Sequence, residues 1–160
     1  MNRRHLILAF LVLSSAAGAQ NLLNPTEPQP PLPTEKLVIV KRNGQKLEFT
    51  VEMALQESQQ VIGLMFRRTV PANTGMLFDW GQPRESSMWM RNTLASLDMM
   101  FIAQDGTISH IAEHTVPQSL AVISSGGPVR ATLEVAAGTS ERLDIRVGDK
   151  VEQRIFTLRR

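Results

Sequence analysis

The sequence predicts a mainly β protein, folded as a single-domain jelly-roll-like β-sandwich or squat barrel with one short α-helix. Three observations carry this. About eight short apolar or alternating runs are separated by Gly, Pro, Asn and Asp turns. Two of the breaks, Asn43-Gly44 and Asp105-Gly106, are two-residue hairpin signals. Only residues 54–66 set their apolar side chains near helical spacing.

Residues 37–40 are a β-branched run, and 46–53 alternate polar with apolar, so the two form a hairpin about Asn43-Gly44 with one face buried. In 54–66, Leu55, Val61, Ile62, Met65 and Phe66 oppose Glu57, Ser58, Gln59 and Gln60. Gly63 inside this helix costs about 1 kcal/mol relative to Ala, which a close approach to the sheet would justify. Pro71, Asn73 and Gly75 mark a turn, and 76–80 read as a strand closed by Gly81-Gln82-Pro83. Further strands are expected at 88–91, 97–103, 107–112, 120–124, 131–136 and 150–157, with breaks at Gly126-Gly127-Pro128, Ala137-Gly138 and Gly148-Asp149.

The chain of 160 residues divides into four parts. Residues 1–19 combine a basic start with Arg3 and Arg4, an uncharged apolar run and the small-residue site Ala17-Gly18-Ala19. This is the pattern of a secretory signal peptide cleaved near Ala19-Gln20, which implies export to the periplasm or medium. The apolar run is shorter than the ~20 residues of a membrane span. Residues 20–35 carry five prolines and form an extended, solvated linker. Residues 36–157 are long enough for one core, and 158–160 are a tail.

The absence of cysteine removes disulfides, thiolate catalysis and Cys-based metal centres. The formal charge of +2 disappears once Arg3 and Arg4 leave with the leader, so nothing points to nucleic acid or an anionic membrane as partner. No integral membrane segment is expected in the mature chain, and no cofactor is implied.

The segments Gly63-Leu64-Met65-Phe66-Arg67, Gly75-Met76-Leu77-Phe78, Met88-Trp89-Met90-Arg91-Asn92-Thr93, Leu97-Asp98, Asp105-Gly106 and Leu133-Glu134-Val135-Ala136-Ala137-Gly138 occur in a fixed order. In that order and spacing the chain resembles domain-of-unknown-function family 192, over about residues 49–151. The resemblance implies a bacterial or archaeal, often exported, β-rich jelly-roll-like protein without an established activity. The family usually has Lys at Arg91 and often an aromatic at Val122-Ile123. A guanidinium fork grips a ligand differently from an ammonium point charge, and the second change removes a stacking surface.

The candidate site follows from the mixture of polar and apolar residues in these segments. In a strand, Trp89 and Arg91 share one face, offering a ring and a cation to a ligand with carboxylate or hydroxyl groups. A core Trp with Arg91 reaching solvent accounts equally for the pattern. Asn92 and Thr93 leave the strand and Asp98 returns on the next, so they converge on a ligand or brace the loop, with Arg67 directed to the same mouth. Glu134 lies in an apolar run, either exposed on an edge or buried with a cation.

The leading expectation is a non-enzymatic binding or envelope-accessory module. Its small polar or carbohydrate-like ligand would be held by Arg67, Trp89, Arg91, Asn92, Thr93, Asp98 and Glu134. A hydrolase acting on glycan or another envelope substrate, with Asp98 and Glu134 as acid and base, is the alternative, and the separation of the carboxylates decides it. A third reading is periplasmic copper handling through Met53, Met65, Met76, Met88, Met90, Met99 and Met100 with His110 and His114. Thioethers suit Cu(I), but they also fill core gaps. The order His110-Ile111-Ala112-Glu113-His114 misplaces the Glu for a zinc-protease helix, so no metal site is assigned.

Overall fold

The computed structural model describes residues 24–157. The expected signal peptide with its expected cleavage point, the first residues of the expected linker and the tail at 158–160 lie outside the described residues. The elements run β1 (Thr34–Val40), β2 (Lys46–Ala54), α1 (Glu57–Ile62), β3 (Thr74–Met88), β4 (Leu97–Ile102), β5 (Ile108–Ala112), β6 (Ile123–Ala136), α2 (Thr139–Leu143), β7 (Lys150–Glu152) and α3 (Arg154–Thr157).

The fold is mainly β, as expected, and forms one curled sheet in the order β5-β4-β6-β3-β2-β1-β7. All pairings are antiparallel except β2 with β3, where α1 and its following loop carry the chain back to a parallel neighbour. The curl brings the sheet's two ends together. Thr107 bridges Lys150, the Ile108 N–H donates to the Asp149 carbonyl at 2.9 Å, and the Val151 N–H donates to the Gly106 carbonyl at 2.7 Å.

Seven strands replace the expected eight or so because two breaks lie inside continuous strands. β3 passes through Gly81-Gln82-Pro83 by way of a bulge between Asp79 and Arg84, and β6 passes through Gly126-Gly127-Pro128. The helical prediction was too long as well as too few in number. Only Glu57–Ile62 is helical, Ala54 belongs to β2, and Gly63 ends the helix with φ 51° instead of lying within it. A Cβ on Gly63 would stand 3.0 Å from Phe78 Cζ, so the close approach to the sheet is real. Leu64 and Met65 reach the core from the irregular loop, whose Phe66 N–H donates to the Asn92 carbonyl at 2.8 Å.

Alternation along the strands divides the interior in two. Leu37, Val51, Leu77, Met100, Leu133 and Val135 belong to the core that the curled sheet encloses. Met76, Phe78, Leu97, Met99 and Phe101 form a second core outside it, closed by Leu64 and Met90 from loops. Each fully buried Leu, Met or Phe contributes on the order of 1.5–3 kcal/mol. The linker joins this outer layer instead of running free in solvent. Gln29 Nε2 donates to the Gln59 and Gly63 carbonyls at 3.0 and 2.9 Å, satisfying groups at the end of α1, and Leu32 packs against the second core. Among the described residues no helix is long and apolar enough to cross a membrane.

Candidate functional site

A cleft of about 480 Å³ opens between α1 with its following loop and the outer face of β3 and β6. That volume lies within the range typical of small-molecule sites. Phe78 and Trp80 from β3 form one wall, with ring centroids 5.8 Å apart, and Trp80 Nε1 donates to Thr132 Oγ1 at 3.3 Å. The Arg84 guanidinium lies 4.3 Å from the Trp80 ring centroid. Met65, Met88, Trp89 and Thr93 line the rest.

Glu134 forms the floor. It shares the outer face of β6 with Thr132, opposite Met76 of β3 and Met99 of β4. The residue is 4 % exposed, and among the described residues no donor bonds its carboxyl. Burial alone pushes that carboxyl up to about 8. At neutral pH Glu134 is therefore an uncharged acid able to donate a hydrogen bond.

This has a measurable consequence for folding. An unfolded glutamate ionises near 4.5 and the native one near 8, so between those values the native state holds one more proton than the unfolded chain. Stability consequently falls as pH rises through that window, by up to about 1.4 kcal/mol per unit, and levels off above it. Glu134→Gln is expected to remove this slope. Urea denaturation of both proteins from pH 5 to 8 checks it, and parallel pH profiles would contradict a neutral Glu134.

The other expected site residues divide among several places. Trp89 is 45 % exposed at the cleft's mouth, and the Arg91 guanidinium lies 5.4 Å from its ring centroid. The two are neighbours as expected, although β3 ends at Met88 and residues 91–92 form a turn. Arg91 also donates to Asn24 Oδ1 at 2.5 Å. Asn92 adopts φ 55° and braces the turn, its Nδ2 lying 3.9 Å from Met65 Sδ.

Arg67 does not point at this mouth. It forms a two-pronged ion pair with Glu52 in a separate cleft of about 270 Å³ that Thr34, Thr50 and Thr74 also line. Burial of Glu52 acts to raise its pKa, but the Arg67 guanidinium and the Leu32 N–H outweigh it and hold the carboxyl below the ordinary range.

Asp98 is also absent from the cleft. It pairs with Val135 and faces the enclosed core, fully buried, while the next residues in register, Met99 and Glu134, face outward. Its Oδ1 accepts from the His114 and Gly138 N–H groups at 3.0 and 3.2 Å, and its Oδ2 accepts from Ser140 at 2.9 Å. Gly138 has no side chain with which to cap α2, so Asp98 supplies a cap from another strand. The proposed acid–base pair is thus separated by the sheet itself.

The copper-handling reading meets a similar difficulty. Met53, Met76, Met90, Met99 and Met100 are fully buried, and the Met90 sulfur accepts from Thr115 Oγ1 at 3.2 Å. His110 stacks on Phe101, and His114 lies 3.8 Å from Glu141. Among the described residues no three His, Asp or Glu side chains cluster as metal ligands.

Sequence reasoning missed Trp80, Arg84 and the cleft-facing side of α1. The signal was present in the pairing of Trp80 with Arg84 four residues on, hidden because Gly81-Gln82-Pro83 reads as the end of the strand.

Fold and site together define a small protein built on one curled sheet, with an aromatic-walled cleft over a buried acid. The chain belongs to domain-of-unknown-function family 192, described as "Uncharacterized ACR", whose model matches residues 38–153. A solved structure of a candidate transcription regulator from Sinorhizobium meliloti 1021 is 43 % identical, with a TM-score of 0.77, covering 79 % of this chain and 98 % of that one. A protein of unknown function from Novosphingobium aromaticivorans DSM 12444 is 32 % identical with a TM-score of 0.74, covering 83 % and 96 %. No curated protein matches the chain significantly.

Proposed function

We propose that the chain is an exported, non-enzymatic binding module whose cleft takes a small polar, carbohydrate-like ligand. The observation that carries this reading is the Glu134 carboxyl, without a bonding partner among the described residues, at the floor of a cleft lined by Trp80 and Trp89. Indole faces cover the apolar side of a sugar ring, and a neutral carboxyl both donates to and accepts from hydroxyl groups. A ring-shaped ligand would thus meet an aromatic surface on its apolar side and the acid on its hydroxyl-bearing side. The basic, apolar and small-residue succession in residues 1–19 supports export.

The hydrolase alternative is disfavoured because Asp98 lies across the sheet from Glu134 and is already bonded to three backbone N–H groups. A thermal-shift screen of residues 20–160 against neutral and acidic oligosaccharides tests the binding reading. A ligand at a hundred times its Kd stabilises by about 2.7 kcal/mol, a rise of several degrees in Tm. Trp89→Ala is expected to abolish that rise while leaving the unliganded Tm nearly unchanged, because the ring is largely outside the core. A panel that shifts nothing, or a shift that survives Trp89→Ala, would overturn the reading.

A further inference from the structure

We propose that the ligand of this cleft carries an acidic group, as a uronate-type sugar does, seated between the Arg84 guanidinium and the buried Glu134 carboxyl. This rests on the binding reading above and narrows it to a ligand class.

The argument begins with the wall that joins the two residues. Glu134 and Thr132 are successive outward residues of β6, Trp80 reaches over to Thr132, and Arg84 lies above the Trp80 ring. Arg84 is the one cation among the residues lining the cleft, it is exposed, and among the described residues it forms no ion pair. Its neighbour Glu85 is directed elsewhere, accepting from Ser124 Oγ at 3.0 Å. By contrast Arg130, the preceding outward residue of β6, is neutralised by Asp79. The cleft thus offers a positive charge held against an aromatic face, with its counter-charge left to the ligand.

The floor is suited to the same group. A buried carboxylate would repel an anion, whereas a carboxyl kept neutral by its surroundings donates an O–H to one, and a bond of that charge-assisted kind is about twice as strong as a neutral one. The charged groups around Glu134 are few. Glu57 of α1 is exposed at the cleft's edge, Arg84 and the Asp79–Arg130 pair come from β3 and β6, Arg91 stands outside Trp89, and the facing side of β4 presents Leu97, Met99 and Phe101. A neutral sugar would satisfy the rings but leave the Arg84 charge with only the Trp80 face and solvent against it.

Oligogalacturonates and their methyl esters keep one ring system and differ in charge, so they separate the inference from the reading beneath it. Calorimetric titration of residues 20–160 at pH 6 is expected to show the acid bound at least tenfold more tightly than the ester. In Arg84→Gln the ratio of the two affinities falls below threefold, whatever the substitution does to each affinity. Between pH 6 and 9 the wild type loses affinity for the acid as Glu134 ionises, and Glu134→Gln, which keeps a donor without titrating, does not. Equal affinity for acid and ester, or a preference unaffected by Arg84→Gln, overturns the inference and leaves the binding reading standing. If neither compound nor any neutral sugar of the screen binds, both fall.

Discussion

Replacing Asp98 with alanine is expected to lower stability by about 3–5 kcal/mol. Three backbone N–H groups, from His114, Gly138 and Ser140, would lose their acceptor at once. Each buried donor left unpaired costs about 1–3 kcal/mol, more where the lost partner was charged. The side chain is fully buried, so water does not simply replace it without a cavity opening beside Met100 and Val135. Asp98→Asn is expected to fall between, since its one carbonyl oxygen can serve the two N–H groups on one side while its amide faces the third. Chemical denaturation of the three proteins measures this. A loss below about 1 kcal/mol for the alanine variant would mean that the loops after β5 and β6 find other acceptors.

Gly75→Ala is the second. Its Cβ would stand 2.2 Å from the Glu134 carbonyl oxygen and 3.0 Å from Val135 Cγ1. Backbone cannot swing aside as a flexible side chain can, so β3 and β6 must separate where Gly75 pairs with Val135. Overpacking of this kind costs typically 1–3 kcal/mol, and the rigid opponent here places the expected loss at or above about 3 kcal/mol. Because the displaced atom belongs to Glu134, the variant should also lose ligand response out of proportion to its stability. Hydrogen exchange at the β3–β6 ladder, read beside the thermal-shift screen, distinguishes a local opening from global weakening. Undiminished protection of the Met76 and Val135 amides would contradict the clash.

These residues show how far the fold could be read in advance. Asn43-Gly44 marked the β1–β2 hairpin because the turn needs a residue tolerant of positive φ, and Gly44 has φ 86°. The runs 97–102 and 131–136 were legible because burial on both faces leaves a nearly continuous apolar pattern. Gly81-Gln82-Pro83 misled because proline ends a strand only where its N–H is needed. Beyond Phe78, β3 has no pairing to β2, and the bulge absorbs Pro83. The five-residue α2 had too few residues to show a period, and its cap comes from Asp98, forty positions away from Gly138.

The site was harder to read for a related reason. Asp98 and Glu134 look alike in sequence, each a single acid amid hydrophobes, and sequence spacing does not reveal register. One residue of offset in the β4–β6 pairing, Asp98 with Val135 and Met99 with Glu134, sends one acid into the enclosed core and the other into the cleft. Trp89 and Glu134 were found from their neighbours in sequence, whereas Trp80 and Arg84 owe their place to the continuation of β3.

The linker segment has a consequence for whatever is joined to it. Asn24 is held by Arg91 and Gln29 by the end of α1, which fixes Asn24 at the rim beside Trp89. A group attached just before Asn24 by a short flexible spacer would meet the cleft at an effective concentration of order millimolar, whatever its concentration in solution. A weak ligand engineered onto that spacer would occupy the cleft intramolecularly, which makes the linker a place from which binding too weak for titration can be read.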